Sequence, residues 1–178
     1  MRQILVMMAA VVLVGCGNKT PETSQSVEAE AQVASKPTPE PTPVSPADEK
    51  LIVEKAVRKK LKKPEGELTE ADLENVTALW LGGTKITDAG LKDVAKVQQL
   101  RYLYLFDTKI TDAGLKDVAK LQKLIYLDLS DTQITDESIK QIAKLQQLKE
   151  LNLMNTKITD AGVAELKKAL PNCKIKGP

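Results

Sequence analysis

A seven-residue block, TKITDAG, recurs at a fixed interval in the second half of the chain. It begins at Thr84, Thr108 and Thr156, and the variant TQITDES begins at Thr132, so that successive blocks start 24 residues apart. A constant period without insertions predicts that each unit packs only on its two neighbours. The units should therefore stack into a solenoid.

Leucines follow the same interval. They form two columns, and within each unit the second leucine lies two positions after the first. The columns are Leu79, Leu103, Leu127 and Leu151, then Leu81, Leu105, Leu129 and Leu153. Because residues two apart in a strand point to the same side, both columns should face the core from one short strand.

Each unit also contains the signals for a helix start. Thr87-Asp88 and its copies place an oxygen-bearing side chain just before an apolar-periodic segment, as a helix N-cap requires. In the first unit the apolar residues then return every three or four positions, at Leu91, Val94, Ala95 and Val97. We expect these side chains to face inward against the leucines.

These leucine and ITD positions together resemble the leucine-rich repeat, in the 24-residue bacterial form that is plentiful in planctomycete and related proteins. The resemblance covers about Glu67 to the C-terminus, with a turning Thr (Thr84, Thr108, Thr132 and Thr156) where many such repeats have Asn. It implies an α/β solenoid, with short parallel strands on the concave side and helices on the convex side. It also implies a recognition scaffold rather than an enzyme.

The segments that flank the repeats are predicted to cap the solenoid. Residues 48–76 form the N-terminal capping region, similar to the helical cap before leucine-rich repeats in some bacterial surface proteins, and Pro64 should stop its helix. Residues 77–178 contain the repeats and a C-terminal cap, where Ile175 falls in step with Leu151 and predicts a last truncated strand. The apolar stripe of the capping helix is Leu51 or Ile52, then Val53, Ala56, Val57 and Leu61.

The N-terminus has the composition of a signal segment. Residues 1–15 contain one positive charge and an apolar run that is too short to span a bilayer as a stable helix. The sequence LVGC at its end resembles the bacterial lipobox, which implies that Cys16 is acylated on sulfur, for example with palmitate, and becomes the mature N-terminus. An ordinary signal peptide with an incidental cysteine is the alternative.

Residues 16–47 are predicted to be a disordered, lipid-anchored tether. Six of the nine prolines lie here, among Thr, Ser, Glu and Gln and almost no large apolar residues, so the segment cannot bury enough surface to offset its ordering entropy. The resemblance to a lipoprotein implies a bacterial cell-envelope location, with the outer membrane favoured because residue 17 is Gly rather than Asp. The domain would then be periplasmic or surface-exposed.

All five aromatic residues occupy strand positions that alternate with the core leucines. In YLYLF, Leu103 and Leu105 are core positions, so Tyr102, Tyr104 and Phe106 should point to the concave face. Trp80 aligns with Tyr104, and Tyr126 aligns with Tyr102, so both pairs should be neighbours across the sheet. An apolar patch of the order of a few hundred Å² tends to mark an interaction site.

Polar residues occupy the same columns in the later repeats. We predict that the concave face binds a protein or glycan through Trp80, Tyr102, Tyr104, Phe106, Tyr126, Asp107, Asp128, Asp131 and Asn152. The alternative is that the aromatic pairs stabilise the sheet and bind nothing. Asp107 and Asp131 are expected to be a solvated pair rather than a calcium site, because calcium requires six or more oxygen ligands.

The chain contains no histidine, which excludes Ser-His and Cys-His nucleophile pairs and histidine-ligated metals. We expect no enzyme activity, no cofactor, no metal and no nucleic-acid partner. A remote alternative, an acid–base hydrolase, would need Asp107, Asp128 or Asp131. Cys173 is expected to be a small buried residue of the C-terminal cap.

Two functional hypotheses remain open. The first is a membrane-anchored binding module, and the second is a structural envelope component whose aromatic face is buried by self-association. A basic cluster at the end of the capping helix is expected to be a solvated face, with contact to anionic lipid or cell-wall polymer as its alternative. The cluster contains Arg58, Lys59, Lys60, Lys62 and Lys63.

Overall fold

The computed structural model describes residues 45–177. The predicted signal peptide, the predicted acylation site at Cys16 and nearly all of the predicted tether lie outside the described residues. In the described range, no helix has both the length and the apolar character that crossing a membrane requires.

The described residues form six helices and five strands, and from the second helix onward helices and strands alternate. The helices are α1 (Pro46–Leu61), α2 (Glu70–Glu74), α3 (Asp88–Val94), α4 (Leu115–Val118), α5 (Ile139–Ile142) and α6 (Asp160–Ala169). The strands are β1 (Ala78–Trp80), β2 (Tyr102–Tyr104), β3 (Tyr126–Asp128), β4 (Glu150–Asn152) and β5 (Lys174–Lys176).

The five strands form one parallel sheet in the order of the chain. Each strand pairs with the next without stagger, so that Leu79, Leu103, Leu127, Leu151 and Ile175 lie in one row. This arrangement confirms the predicted α/β leucine-rich-repeat solenoid, including the short last strand. The first helix contains Pro46 and Ala47, which belong to the predicted tether.

Both leucine columns are buried in a single core that runs the length of the repeats. Leu81, Leu105 and Leu129 are completely inaccessible to solvent, as are the isoleucines Ile86, Ile110 and Ile134 that precede the helices. Shortening one such leucine to alanine in a packed core costs roughly 2–5 kcal/mol. The strands contain only three residues each, so this packing stabilises the sheet more than its hydrogen bonds do.

The convex helices are shorter in the middle repeats than at the ends. Thr87 and Thr159 cap α3 and α6 by accepting hydrogen bonds from Ala89 N (3.4 Å) and Gly162 N (3.1 Å). Helices α4 and α5 have one turn each. In the variant repeat, a 3₁₀ turn over Asp136–Ser138 replaces the start of the helix.

A ladder of carboxylates joins each repeat to the next one. Asp88 accepts hydrogen bonds from the backbone N (2.8 Å) and the hydroxyl (2.6 Å) of Thr111, which lies 23 residues further along. Asp112 accepts the same pair of bonds from Thr135 at 2.8 and 2.9 Å. Asp136 accepts them from Thr159 at 2.9 and 2.8 Å. We call this series the Asp–Thr ladder.

The glycines of the ITDAG block make room for this ladder. A Cβ atom added to Gly114 would overlap the carboxylate of Asp88, and one added to Gly162 would overlap that of Asp136. The variant repeat has Ser138 instead of glycine. The Ser138 side chain is fully buried and its hydroxyl donates to the carbonyl of Thr135 at 2.7 Å, in the 3₁₀ turn described above.

Glu49 of α1 takes the place of an aspartate at the head of the ladder. Its carboxylate accepts hydrogen bonds from the hydroxyl (2.7 Å) and the backbone N (3.4 Å) of Thr87, and the residue is only 3% exposed. This role of Glu49 was not predicted, because a glutamate on a charged helix gives no sign of a partner 38 residues away.

The apolar side of α1 packs on the first repeat through Val53 and Val57. Of the two alternatives for the start of its stripe, Ile52 packs against the core, whereas Leu51 is 45% exposed. The helix ends before Pro64, because Lys62 adopts a left-handed conformation with φ 54°. A left-handed residue is a common end for a helix.

Helix α2 was not predicted as a separate element. Its signal is a capping box, in which Thr69 and Asp72 exchange side-chain-to-backbone hydrogen bonds. The Lys63 ammonium donates to Asp72 at 2.8 Å, and this bond, together with those from Thr69, lowers the pKa of Asp72 to about 2.

We predict that Glu49→Ala lowers the free energy of unfolding by about 1–3 kcal/mol, because Thr87 loses the charged acceptor for its hydroxyl and N–H. The matched control is Glu165→Ala, which removes an exposed glutamate from α6 and should change stability little. Urea unfolding of both variants measures the difference. Equal midpoints for the two would show that Glu49 does not hold the cap.

Candidate functional site: the aromatic concave face

None of the five aromatic residues belongs to the buried core cluster. Trp80 is 64% exposed and Tyr102 is 41% exposed, whereas Tyr104, Phe106 and Tyr126 are half-buried. Large side chains of this kind are usually buried, so two open rings on adjacent strands are informative. The exposure is greatest on β1 and β2, next to the capping helix.

Three of the rings form a continuous row across β1, β2 and β3. Trp80 stacks on Tyr104 with ring centroids 3.8 Å apart and planes 12° from parallel. The ring of Tyr126 follows, 5.0 Å from Tyr104 and tilted by 38°. We call these three residues the aromatic row. Contacts between aromatic rings typically add about 0.5–1.5 kcal/mol to the effect of their burial.

The predicted pairing of Tyr126 with Tyr102 holds for the backbone but not for the rings. The two residues lie opposite each other in the register of β2 and β3, yet the ring of Tyr126 packs against Tyr104. The cause is a hydrogen bond of 3.2 Å from the Tyr126 hydroxyl to Asp128, the register partner of Tyr104. This bond draws the ring towards the Trp80 column.

Asp128 is not an open acidic group. It is 8% exposed, and one carboxylate oxygen accepts hydrogen bonds from the backbone N (3.0 Å) and the hydroxyl (2.7 Å) of Ser130. The other oxygen accepts the Tyr126 bond. The oxygens of Asp128 therefore hold Tyr126 and the turn after β3, and the role of Asp128 in binding stays a prediction.

Phe106 lies over Gly82 of the preceding repeat. A Cβ atom at position 82 would overlap the Phe106 ring, so the glycine leaves the space that this ring occupies. Phe106 is half-buried as a result and extends the apolar surface beyond the carboxyl ends of the strands. Met154, in the same column, is 49% exposed at the other end of the face.

Backbone conformation determines which residue types occupy the column beside the turning threonines. Gly83, Asp107, Asp131 and Asn155 all have positive φ, at 68°, 50°, 55° and 55°. Glycine, asparagine and aspartate are the residues that best tolerate this left-handed region. Each turning threonine then closes the turn by donating to the carbonyl of a core leucine, for example from Thr108 to Leu105 at 2.6 Å.

Backbone conformation therefore explains Asp107 and Asp131 without any ligand. The carboxylate of Asp131 accepts a hydrogen bond of 2.9 Å from the Asn155 amide. Asn152 is half-buried and accepts a weak bond of 3.3 Å from Met154 N. Residues 45–177 contain no group of three or more Cys, Asp or Glu residues that would hold a metal ion.

The structure places part of the basic cluster beside the aromatic row. A pocket of about 420 Å³ at the start of the concave face is lined by Trp80 and Ala78 of β1 and by Ala56, Lys59, Lys60 and Lys62 of the capping region. The proximity of these lysines to the tryptophan was not predicted. No periodicity connects the capping helix to a strand, so the sequence had no signal for this proximity.

Cys173 is half-buried against the core. Burial, together with the charge of Glu150, raises the pKa of its thiol to about 11. The thiol therefore stays protonated at neutral pH, which suits a packing residue and not a nucleophile.

Comparisons with known proteins identify the repeats. A model described as leucine-rich repeats in two copies matches residues 122–168, and a single-repeat model matches residues 98–119. These segments are therefore leucine-rich repeats, and the matching models describe repeats of this kind rather than an enzyme family. Domains of this class generally act as protein-interaction modules.

Solved structures of bacterial leucine-rich-repeat proteins are similar to this chain. An internalin from Listeria monocytogenes is 30% identical over 67% of this chain and 34% of its own, with a TM-score of 0.53. A leucine-rich-repeat protein from Leptospira interrogans is 26% identical over 62% of this chain and 28% of its own, with a TM-score of 0.46. This chain thus spans 34% of the length of the first and 28% of the length of the second. A search of curated proteins found no match.

We predict that Tyr126→Phe abolishes the late step of the alkaline absorbance titration of tyrosine. Burial, then the charge of Asp128 and the hydrogen bond to it, raise the pKa of Tyr126 from 10.0 to about 12. Tyr102→Phe is the matched control and should leave the late step in place.

The same shift predicts how stability depends on pH. In the unfolded chain Tyr126 loses its proton near its ordinary pKa, while in the folded chain it keeps the proton to about pH 12. Folding therefore loses stability as the pH rises through this window, and Tyr126→Phe should reduce the loss. A late step in the absorbance titration that persists in Tyr126→Phe would contradict the assignment of the raised pKa to Tyr126.

Proposed function

We propose that the chain is a membrane-anchored leucine-rich-repeat module that recognises a protein or glycan through its aromatic concave face. The observation that carries this proposal is the 64% exposure of Trp80, which is stacked on Tyr104 at the surface of a rigid sheet. An open, ordered aromatic surface offers a large contact area at a low entropic cost to a binding partner.

Sheet stabilisation alone accounts less well for this geometry. Tyr104 and Tyr126 are half-buried and have partners, so they can act as stabilising cross-strand contacts. Trp80 and Tyr102 leave much of their surface in water, which adds little to stability. Their exposure is better explained by a partner that covers them.

A second candidate is a structural envelope component that buries the same face by self-association. The exposed apolar side chains at both ends of the concave face, Trp80 and Tyr102 at one end and Met154 at the other, favour this alternative. A second copy would cover all of them, whereas a small ligand at β1 and β2 would leave Met154 exposed.

The proposed anchor is a lipid on Cys16, and the proposed location is the bacterial cell envelope, with the outer membrane favoured. Both rest on the LVGC sequence after a short apolar run. A proline-rich segment between this cysteine and α1 would hold the repeats away from the membrane.

Trp80 is the single tryptophan, so its fluorescence distinguishes the two functions. For a binding module, we predict red-shifted emission that acrylamide quenches readily and that does not change with protein concentration. Self-association predicts a blue shift and protection that increase with concentration. Emission that is blue and protected at every dilution would contradict the exposed position of Trp80.

For the anchor, we predict that a clickable palmitate analogue labels the chain in bacterial cells and that Cys16→Ala abolishes the labelling. Cys173→Ala is the matched control, since these are the two cysteines of the chain. The modified N-terminal peptide should be identified by mass spectrometry. Labelling that survives Cys16→Ala would exclude the proposed anchor.

A further inference from the structure

The pocket beside Trp80 combines an open aromatic face with positive charge. Tyr104 covers one face of the Trp80 ring from the β2 side. The pocket of about 420 Å³ lies towards the capping helix, where Lys59, Lys60 and Lys62 form its wall. A ligand in this pocket would therefore contact an aromatic surface and several ammonium groups together.

The five basic residues at the end of α1 divide into two groups. Arg58 bonds to Glu54 at 2.7 Å and to the Gly66 carbonyl at 2.8 Å, and Lys63 bonds to Asp72 at 2.8 Å, so both hold the cap together. The other three, Lys59, Lys60 and Lys62, are exposed and take part in none of the ion pairs formed among residues 45–177. These three are the ones that line the pocket.

We infer that this pocket binds a carboxylate-bearing saccharide, with a sugar ring stacked on Trp80 and its carboxylate paired with the lysines. The inference rests on the proposed function and specifies its ligand class. A pyranose ring has an apolar C–H face that matches an aromatic plane and polar groups at its rim. A carboxylate at that rim complements the three ammonium groups, which form no ion pair among the described residues.

The local structure favours a saccharide over an acidic peptide or a membrane surface. Helix α1 packs against β1 at the edge of the sheet, where an added peptide strand would have to pair. A lipid surface is flat, whereas this site is a pocket that the capping helix and the sheet form together. A sugar ring fits a pocket of this volume.

Calorimetric titration of the whole protein with oligogalacturonate tests the inference. The matched probe is the same oligomer with its carboxyl groups reduced to alcohols. We expect the acidic oligomer to bind, its affinity to fall with added salt, and the reduced oligomer to bind at least about tenfold more weakly. Trp80→Ala should abolish binding.

Charge-removing variants test the lysines. Replacing Lys59, Lys60 and Lys62 together with Gln keeps the side-chain length and should weaken binding of the acidic oligomer about tenfold. The control makes the same change to Gln at Lys116, Lys140 and Lys167, which are exposed on the helices of the repeats. It should leave binding unchanged. Equal urea midpoints for the two triple variants show that both are folded.

The outcomes separate this inference from the proposed function. Equal binding of the reduced oligomer, still lost in Trp80→Ala, would overturn the inference and leave concave-face recognition intact. Tighter binding of polyglutamate, or lysine-dependent binding of anionic vesicles, would overturn it in favour of a polypeptide or a membrane. Absence of binding to oligogalacturonate would overturn it too, while the Trp80 fluorescence experiment decides the proposed function separately.

Discussion

The Asp–Thr ladder is the interaction on which the rest of the fold depends. At the start of each helix the chain leaves the core, and the N–H of each threonine has no partner within its own repeat. The aspartate of the preceding repeat accepts hydrogen bonds from that N–H and from the threonine hydroxyl together; Asp88, for example, accepts both from Thr111, at 2.8 and 2.6 Å. Among the described residues, no buried side-chain nitrogen or oxygen is left without a partner. Leucine packing supplies most of the stabilisation, and the ladder adds a hydrogen-bonded link between each repeat and the next.

The register of the strands determines the surface proposed for recognition. Because every strand pairs with the next without stagger, Trp80 lies directly opposite Tyr104 and their rings stack at 3.8 Å. A shift of one residue would turn these rings into the core. The capping helix is attached through Glu49 to the same ladder, so the lysines at its far end are held close to the exposed tryptophan. The hydrogen bonds of Glu49 therefore hold the cap, and with it one wall of the pocket, against the first repeat.

The sequence predicted the features that depend on period, and it could not predict those that depend on single contacts. Both leucine columns and the strand around Ile175 follow from spacing, the parallel sheet follows from the resemblance to leucine-rich repeats, and the structure agrees. Asp107 and Asp131 were predicted to be part of the binding surface. Their left-handed backbone conformation explains these residue types, but that conformation cannot be recognised from the side chains alone. Asp128 suggested an open acid, yet its oxygens are used by Ser130 and Tyr126. The hydrogen bonds of Glu49 and the pocket that Lys59 shares with Trp80 cross from the cap to the repeats, and no repeat pattern extends that far.

The ladder also makes the number of repeats adjustable. Each repeat brings one aspartate acceptor and one threonine donor, so a duplicated repeat inserted between two others would restore every hydrogen bond that its insertion breaks. Gain or loss of a whole 24-residue unit is thus nearly neutral for this network, whereas gain or loss of a single residue is not. Lineages of such chains would be expected to differ in length by whole repeats. The concave face would lengthen between its two ends, while the Trp80 pocket, attached to the cap, would be inherited unchanged.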